Sequence, residues 1–253
     1  MRKRLNSMLR QIGTAYPYTL TNASPVYKFV NKEYLESLFT LGDIRLGTLH
    51  NFRRTEQHGL NRGDSVEGRN TVRLHVDHLE DPKDGFAKRF LGLGDGCTLS
   101  NVSLQETRNW PDAYVFCAST AYSESAFRRW HAEEKTDACY EIFDPTSFAR
   151  AISQAVQHRA YCSGFAKIDY VDGDIDGATK LHATPAPWIK QRKYDWQTEY
   201  RWVWTHKAPA VDVAPKNIVI PDLQRFCRPV ARLIDGKIVY LSKDFLDSRK
   251  SPA

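Results

Sequence analysis

The sequence lacks any long run of apolar residues. Its longest apolar stretches, at residues 113–118 and 218–221, fall far short of the roughly 20 residues that a membrane-spanning helix needs. The basic residues that follow Met1 would suit a signal peptide, but Arg10 and Gln11 interrupt any apolar segment there. We therefore expect no transmembrane helix, no export signal, no membrane partner and a cytoplasmic location.

The sequence also lacks the usual metal and disulfide patterns. Its five cysteines are odd in number and widely spaced, and no two of them form a C-x-x-C pair. Such a pattern is typical neither of a zinc knuckle nor of a disulfide framework, and it fits a reducing compartment. The histidines show no H-E-x-x-H spacing. We expect no metal site.

One acidic segment resembles part of a calcium loop. Residues 172–177 place aspartates at alternating positions and glycine at the sixth, but the twelfth position is Ala183 rather than Glu. Neither flank has a helical pattern, so the segment favours an acidic turn. A magnesium-dependent nuclease that uses these aspartates stays an alternative, although no matching lysine or glutamate pattern lies nearby.

Length and composition favour one folded domain. The chain has 253 residues, of which 42% are hydrophobic, and this is enough for a substantial core. No fixed-period repeat or low-complexity run divides it, so we expect a single domain over residues 26–253 after an amino-terminal arm of residues 1–25. The formal net charge of +6 favours encounters with phosphate-rich or acidic partners.

Local signals predict alternating strands and helices. A strand is expected at 26–30, and Asn31 would begin a helix that ends before Gly42. Residues 50–70 are predicted to form a long surface loop and residues 80–110 a mobile insertion. The class expected is α+β, with a split, mostly antiparallel sheet and peripheral helices. The other expected strands lie near 44–49, 72–76, 113–118, 138–143, 165–171 and 196–204, the other helices at 123–134 and after Asp144, and a hairpin turn at Asp235-Gly236.

The predicted strand at residues 196–204 carries the strongest polar pattern. Successive side chains of a strand point to opposite faces, so its aromatic residues would lie on one face and Gln197, Glu199 and Arg201 on the other. Spacing alone favours an ordinary half-buried strand with a weak surface pair between Glu199 and Arg201. The alternative interpretation is a functional site.

Four motifs lie between about residues 26 and 204. They are Tyr27-Lys28-Phe29, Leu-Gly-Asp-Ile-Arg-Leu at 41–46, Phe-Cys-Ala-Ser-Thr at 116–120, and Trp196-x-x-Glu199-Tyr200-Arg201. Together they resemble a large bacterial domain family of unknown function. The same motifs are similar to the core of ADP-ribosyltransferases of the arginine, serine and glutamate type.

The second resemblance implies an NAD cleft framed by three strands. Lys28 would stand for the basic residue of the first strand, Ser119-Thr120 for the serine motif, and Gln197-x-Glu199 for the catalytic pair. Two positions depart from the pattern, since Lys28 replaces the usual Arg or His and Ala121 replaces the third residue of the serine motif. Lysine is a point charge rather than a bidentate fork, which implies a looser grip on phosphate.

The chemistry gives each residue of the predicted site a role. Cleavage of the bond between nicotinamide and ribose builds positive charge on the sugar, which a fixed Glu199 carboxylate would stabilise. Gln197 would hydrogen-bond the acceptor and Ser119 would support Glu199 from a neighbouring strand. No metal is required. The residues predicted to bind NAD are Tyr27, Lys28, Arg45, His50, Arg53, Thr120 and Arg201.

The resemblance therefore implies an NAD-dependent ADP-ribosyltransferase that acts on a protein or nucleic-acid acceptor, or an NAD glycohydrolase if water is the acceptor. A toxin or phage-defence setting would add a cognate antitoxin or regulator as a partner. The alternative function is a non-catalytic nucleotide- or nucleic-acid-binding module, in which Lys28 and Ala121 would mark lost activity.

A basic and aromatic segment precedes the catalytic pair. Cations alternate there with aromatic rings, an arrangement that can neutralise phosphates and stack bases. The other interpretation is a basic loop that leads into the aromatic strand, and spacing favours it. The residues are Trp188, Lys190, Arg192, Lys193, Tyr194 and Trp196.

Overall fold

A computed structural model describes residues 24–53, 64–80, 86–87, 96–208 and 213–241. The predicted amino-terminal arm falls almost wholly outside these ranges, and so does much of the predicted insertion at 80–110. Within the described ranges, no helix has the length and apolar character needed to cross a membrane.

The first elements follow their local signals. Strand β1 covers Val26–Val30, and helix α1, Lys32–Leu41, begins after Asn31, which has an extended backbone and makes no side-chain capping hydrogen bond. Gly42 ends the helix with a φ of 69°, a left-handed conformation that glycine adopts at little cost. A Cβ atom at Gly42 would lie 2.0 Å from the carbonyl oxygen of Ile220, so no larger residue fits. Strand β2, Asp43–Thr48, follows directly.

The remaining elements are mostly strands, with three α-helices among those that precede residue 157. Ser123 caps helix α3, Glu124–Glu134, and Asp144 caps helix α4, Pro145–Val156, through side-chain oxygens that accept from the amides of Ala126 and Ser147. The elements are α2 Leu49–Phe52, β3 Arg69–Glu80, β4 Thr98–Asn109, β5 Ala113–Ser119, α3 Glu124–Glu134, β6 Ala138–Ile142, α4 Pro145–Val156, β7 Ala160–Lys167, β8 Asp169–Val171, β9 Ile175–Asp176, β10 Ile189–Gln191, β11 Glu199–His206, β12 Lys216–Val219, β13 Cys227–Ile234 and β14 Lys237–Tyr240.

The fold is mixed α+β with a mostly antiparallel sheet and few helices. Within the described residues, nine strands form the main sheet. Seven of them follow the order β12-β2-β5-β1-β6-β13-β14, β11 pairs with β5, and β7 pairs with the other edge of β11. All neighbouring strands of this sheet run antiparallel. The smaller sheets are β4-β3-β9 and the parallel pair β10-β8.

Helices pack on both faces of the main sheet. Leu35 and Leu38 of α1 and Ile152 of α4 lie in one core cluster with Trp202 and Trp204. A second cluster contains α3, β13 and Phe29 of β1. Val26 belongs to the first cluster, and because Val26 and Phe29 are three positions apart on one strand, the two clusters lie on opposite faces.

The prediction of an insertion at residues 80–110 is wrong for residues 98–109. These residues form β4, which pairs with β3 along a twelve-residue hairpin arm. Asn101 interrupts the alternation with a φ of 50°, so the inward residues Leu99 and Val102 are three positions apart and give no period of two. The loop predicted at 50–70 likewise contains the end of α2 and the start of β3.

The main sheet opens along one edge of β5. Tyr27 of β1 pairs with Ser119, whereas β2 joins the same edge only at Val115 and Tyr114. Neither strand pairs with residues 116–118 in the described structure. The Lys28 ammonium reaches into this opening and donates to the carbonyl oxygen of Cys117 at 2.5 Å. A cleft therefore forms between β1 and β2, with β5 at its floor.

Candidate functional site

The cleft has a volume of about 390 Å³, within the range of small-molecule pockets. One wall is β1 and the start of α1, and the other is β2 with the end of α2. Beyond the floor strand β5, the cleft is bordered by polar side chains of β10 and β11 and of the segment before β3.

Three predicted site residues form one row across the floor. Glu199 of β11 pairs with Ser119 of β5, and Ser119 pairs on its other side with Tyr27 of β1. Paired residues of neighbouring strands point to the same face, so their side chains are neighbours. All three line the cleft, and Glu199 and Ser119 are each 5% exposed. The Tyr27 hydroxyl donates to the Glu141 carboxylate at 3.1 Å.

Glu199 belongs to a buried cluster of four charges, which we call the four-charge cluster: Glu67, Lys190, Glu199 and Arg201. Lys190 Nζ lies 2.8 Å from one carboxylate oxygen of Glu199, and Arg201 Nε lies 2.7 Å from the other. The Arg201 guanidinium also pairs with Glu67. Arg201 is 1% exposed, so the interpretation of Glu199 and Arg201 as a weak surface pair is wrong.

The cluster keeps Glu199 ionised. Burial by itself would raise the pKa of Glu199, but the charges of Arg201 and Lys190 outweigh it and lower that pKa below its usual range. Burial likewise favours neutral Lys190, yet Glu199 and Glu67 raise the pKa of Lys190 to about 12. The site thus presents a fixed carboxylate whose charge is shared with two cations.

Gln197 reaches Glu199 from outside the strand. The prediction that β11 starts at Trp196 is wrong, because Gln197 ends the 3-10 helix Arg192–Gln197 and Thr198 follows with a φ of 43°. Lys190 Nζ nevertheless donates to Gln197 Oε1 at 2.8 Å, as it does to Glu199. One ammonium group therefore holds the side chains of two of the three predicted catalytic residues, Gln197 and Glu199.

Ser119 does not support Glu199 directly. Its hydroxyl donates to the backbone carbonyl oxygen of Gln197 at 2.8 Å, and the Thr120 amide donates to the carbonyl oxygen of Thr198. The two residues thereby hold the turn that leads into β11. Thr120 does not line the cleft.

The predicted NAD-binding cations differ in position. Lys28 and Arg45 line the cleft, whereas Arg53 and His50 do not. Arg53 donates to the Glu67 carbonyl oxygen at 2.6 Å, and a ring nitrogen of His50 lies 3.4 Å from the Trp110 carbonyl oxygen. Arg45 is exposed on β2.

Lys190 and Glu67 belong to the site, although the predicted catalytic and NAD-binding residues did not include them. Lys190 belonged to the basic and aromatic segment, but it is buried together with Trp188 and Tyr194. These three side chains cannot form a continuous stacking surface for bases. The one sequence signal for its burial is its position next to the apolar Ile189 and two residues after Trp188.

The aspartates of residues 172–177 have partners on neighbouring side chains and backbone. Asp172 pairs with Arg192 at 2.5 Å and Asp174 with Arg73 at 2.7 Å. Asp176 accepts a hydrogen bond from the Ala178 amide. In the described ranges, no group of three or more His, Cys, Asp or Glu side chains is arranged to hold a metal ion.

Comparison of the chain with protein-family models, curated proteins and solved structures finds no match. Any function assigned to the chain therefore rests on the cleft, the row from Glu199 to Tyr27, and the four-charge cluster.

Proposed function

We propose that the chain cleaves NAD at the cleft and transfers ADP-ribose to a macromolecular acceptor, or to water as an NAD glycohydrolase. The observation that carries the proposal is that Glu199, Ser119 and Tyr27 lie in one row at a cleft of about 390 Å³. The opening of the sheet along β5 also supports an ADP-ribosyltransferase-like arrangement, in which separated strands frame the dinucleotide.

The reaction breaks the bond between the nicotinamide nitrogen and C1′ of the ribose. The bonding electrons stay with nicotinamide, which leaves neutral, and positive charge develops on the sugar. The ionised Glu199 carboxylate stabilises this charge from a fixed position. The acceptor oxygen or nitrogen then bonds C1′ and releases a proton to solvent, because a carboxylate with a lowered pKa is a weak base.

The four-charge cluster supplies the fixed position. Glu199 is held at both oxygens, and Gln197 is held by the same Lys190 ammonium group. Side chains fixed by such partners need little reorganisation in the transition state. The acceptor, protein or nucleic acid, would approach past Gln197. A cytoplasmic toxin or phage-defence role with a cognate regulator stays part of this proposal.

A second candidate function is a non-catalytic nucleotide-binding module. The observation that favours it is that Glu199 forms ion pairs with both Lys190 and Arg201. These two cations offset the negative charge of the carboxylate and so weaken its stabilisation of a positively charged ribose. Lys28 points the same way, because its ammonium group is engaged with the Cys117 carbonyl oxygen rather than offered to a phosphate.

Release of nicotinamide from NAD tests the proposal. The purified chain is incubated with millimolar NAD, with and without cell-extract proteins and nucleic acids as acceptors, and nicotinamide is measured by chromatography. Glu199→Gln should lower the release rate by about 100-fold or more, the usual size of such a loss of transition-state stabilisation. Glu106→Gln is the matched control, since Glu106 also pairs with an arginine, Arg108, but does not line the cleft.

Both variants are compared at equal thermal stability. Release by Glu199→Gln at the wild-type rate would overturn the catalytic role of Glu199. No release by the wild-type chain, combined with measurable NAD binding in a titration, would favour the binding module instead.

A further inference from the structure

The β2 wall of the cleft carries polar groups with unused bonding capacity. Ile44 and Leu46 point into the core, so Asp43, Arg45 and Gly47 share the opposite face and line the cleft. Gly47 lets the ring of Phe52 lie against the strand, because a Cβ atom there would be 2.5 Å from the tip of that ring. The wall therefore presents one acidic side chain, Asp43, and one basic side chain, Arg45, to the cleft.

Arg45 is a cleft cation whose side chain has no partner in the described structure. Its guanidinium makes no hydrogen bond or ion pair there, and the residue is exposed. The other cleft cations are engaged: Lys28 with Cys117, Lys190 with Glu199, and Arg201 with Glu67. A guanidinium with five free donors suits a phosphate group, which it can bind through two parallel hydrogen bonds.

Asp43 offers an acceptor on the same wall. One of its oxygens accepts from the Ser37 hydroxyl at 3.1 Å, while Oδ1 is buried and has no hydrogen-bond partner within the described ranges. A buried carboxylate oxygen without a partner is rare enough to need an explanation. A carboxylate is the group that proteins use to accept from the hydroxyls of a ribose.

The side chain of Tyr34 extends this wall toward the mouth of the cleft. Tyr34 lines the cleft and is 47% exposed. It lies three residues before Ser37 on α1, so the two side chains share a face of the helix and Tyr34 lies near the Asp43 end of β2. An exposed ring at this place can stack on a base.

We infer that the β2 wall is a nucleotide subsite, in which Arg45 binds a phosphate, Asp43 accepts from the ribose hydroxyls and Tyr34 stacks on the base. The floor strand β5 separates this wall from β11, so Arg45 and Glu199 lie two strand spacings, about 10 Å or more, apart. A ligand that spans the cleft must be extended. Resting on the proposed function, the subsite would hold the adenosine half of NAD while Glu199 faces the nicotinamide ribose.

Binding of AMP, adenosine and 2′,3′-dideoxy-AMP to the full chain tests the subsite. Dissociation constants are measured by calorimetry for the wild type, Arg45→Met and Asp43→Asn. Lys216→Met is the matched control, because Lys216 is a cation on the neighbouring strand β12 that does not line the cleft.

Each variant should lose one preference only. The wild type should bind AMP about 10-fold or more tightly than adenosine, since hydrogen bonds to charged groups contribute that much, and Arg45→Met should reduce this ratio to near one. Asp43→Asn should instead reduce the preference for AMP over 2′,3′-dideoxy-AMP. Lys216→Met should keep both ratios.

Equal loss of AMP affinity in Arg45→Met and Lys216→Met would overturn the subsite, and so would unchanged ratios in the Arg45 and Asp43 variants. The proposed function fails separately. A wild-type chain that binds AMP through Arg45 but releases no nicotinamide would keep the subsite and overturn the reaction. Nicotinamide release with an unchanged KM for NAD in Arg45→Met would overturn the subsite and keep the reaction.

Discussion

Replacing Lys190 with methionine should reveal what the four-charge cluster contributes to the fold. Methionine has a similar length and keeps the apolar stem of lysine, so packing around Trp188 and Ile189 changes little while the positive charge is removed. The carboxylates of Glu67 and Glu199 then share one cation, Arg201. A negative charge is left without compensation in a site where Lys190 and Glu199 are 6% and 5% exposed.

The expected loss is large for a single substitution. Removal of one partner of a buried ion pair typically costs about 3–5 kcal/mol because the other charge stays desolvated. Arg201 still holds one oxygen of Glu199, and the cluster borders the cleft, so we expect the lower end, about 3 kcal/mol. The free energy of unfolding would be measured by urea denaturation at pH 7.

A double variant makes this prediction sharper. Lys190→Met combined with Glu199→Gln removes one charge of each sign and leaves the Glu67–Arg201 pair intact. The double variant should therefore be more stable than Lys190→Met alone by at least about 1 kcal/mol. If the two losses simply add, or if Lys190→Met costs less than about 1 kcal/mol, the charges do not act as a unit and the reasoning is refuted.

Two further predictions concern stability. Burial opposes the charged form of Lys190, but Glu199 and Glu67 raise its pKa to about 12 in the folded protein. Because the pKa in the unfolded state is about 10.4, protonated Lys190 stabilises the fold. This contribution is complete below about pH 10.4 and is lost as the pH rises through about 12. Between about pH 10 and pH 12.5, urea denaturation should show the wild type losing roughly 2 kcal/mol more than Lys190→Met, and parallel pH profiles would contradict this. Gly42→Ala should lower the free energy of unfolding by about 3 kcal/mol or more, because the new Cβ would lie 2.0 Å from the Ile220 carbonyl oxygen and the φ of the residue is 69°. Thermal unfolding measures this loss, and a loss below about 1 kcal/mol would count against the prediction.

The sequence predicted those parts of the fold that local chemistry controls. Helix α1 begins after Asn31 and ends before Gly42, and Asp144 caps α4. Asp235-Gly236 forms the hairpin turn with φ values of 48° and 74°. Each of these residues acts within a few positions of itself, so its effect can be read without knowing what lies across the sheet. The strand at 26–30 and the mixed α+β class were confirmed for the same reason.

The parts that were missed depend on distant partners or on single unusual backbone angles. Residues 98–109 form a strand because β3 pairs with them, and Asn101 hides the alternation. Thr198 has a left-handed backbone, so strand β11 begins after it and does not include Gln197. Lys190 enters the site because the parallel pair of β10 and β8 brings it against Glu199, a pairing that no local pattern encodes. Long-range contacts of this kind decide a site even when its elements are known.

Strand β11 explains why stability and chemistry can be separated at Glu199. The other face of the strand carries Trp202 and Trp204, which are 1% and 0% exposed and lock the strand into the core. The backbone of Glu199 cannot shift without unpacking these rings, and Lys190 and Arg201 hold its carboxylate at both oxygens. Glu199→Gln keeps the shape of the side chain and removes the charge. A cluster that served the fold alone would change the free energy of unfolding and leave nicotinamide release untouched, whereas a catalytic carboxylate requires the release rate to fall at any measured stability.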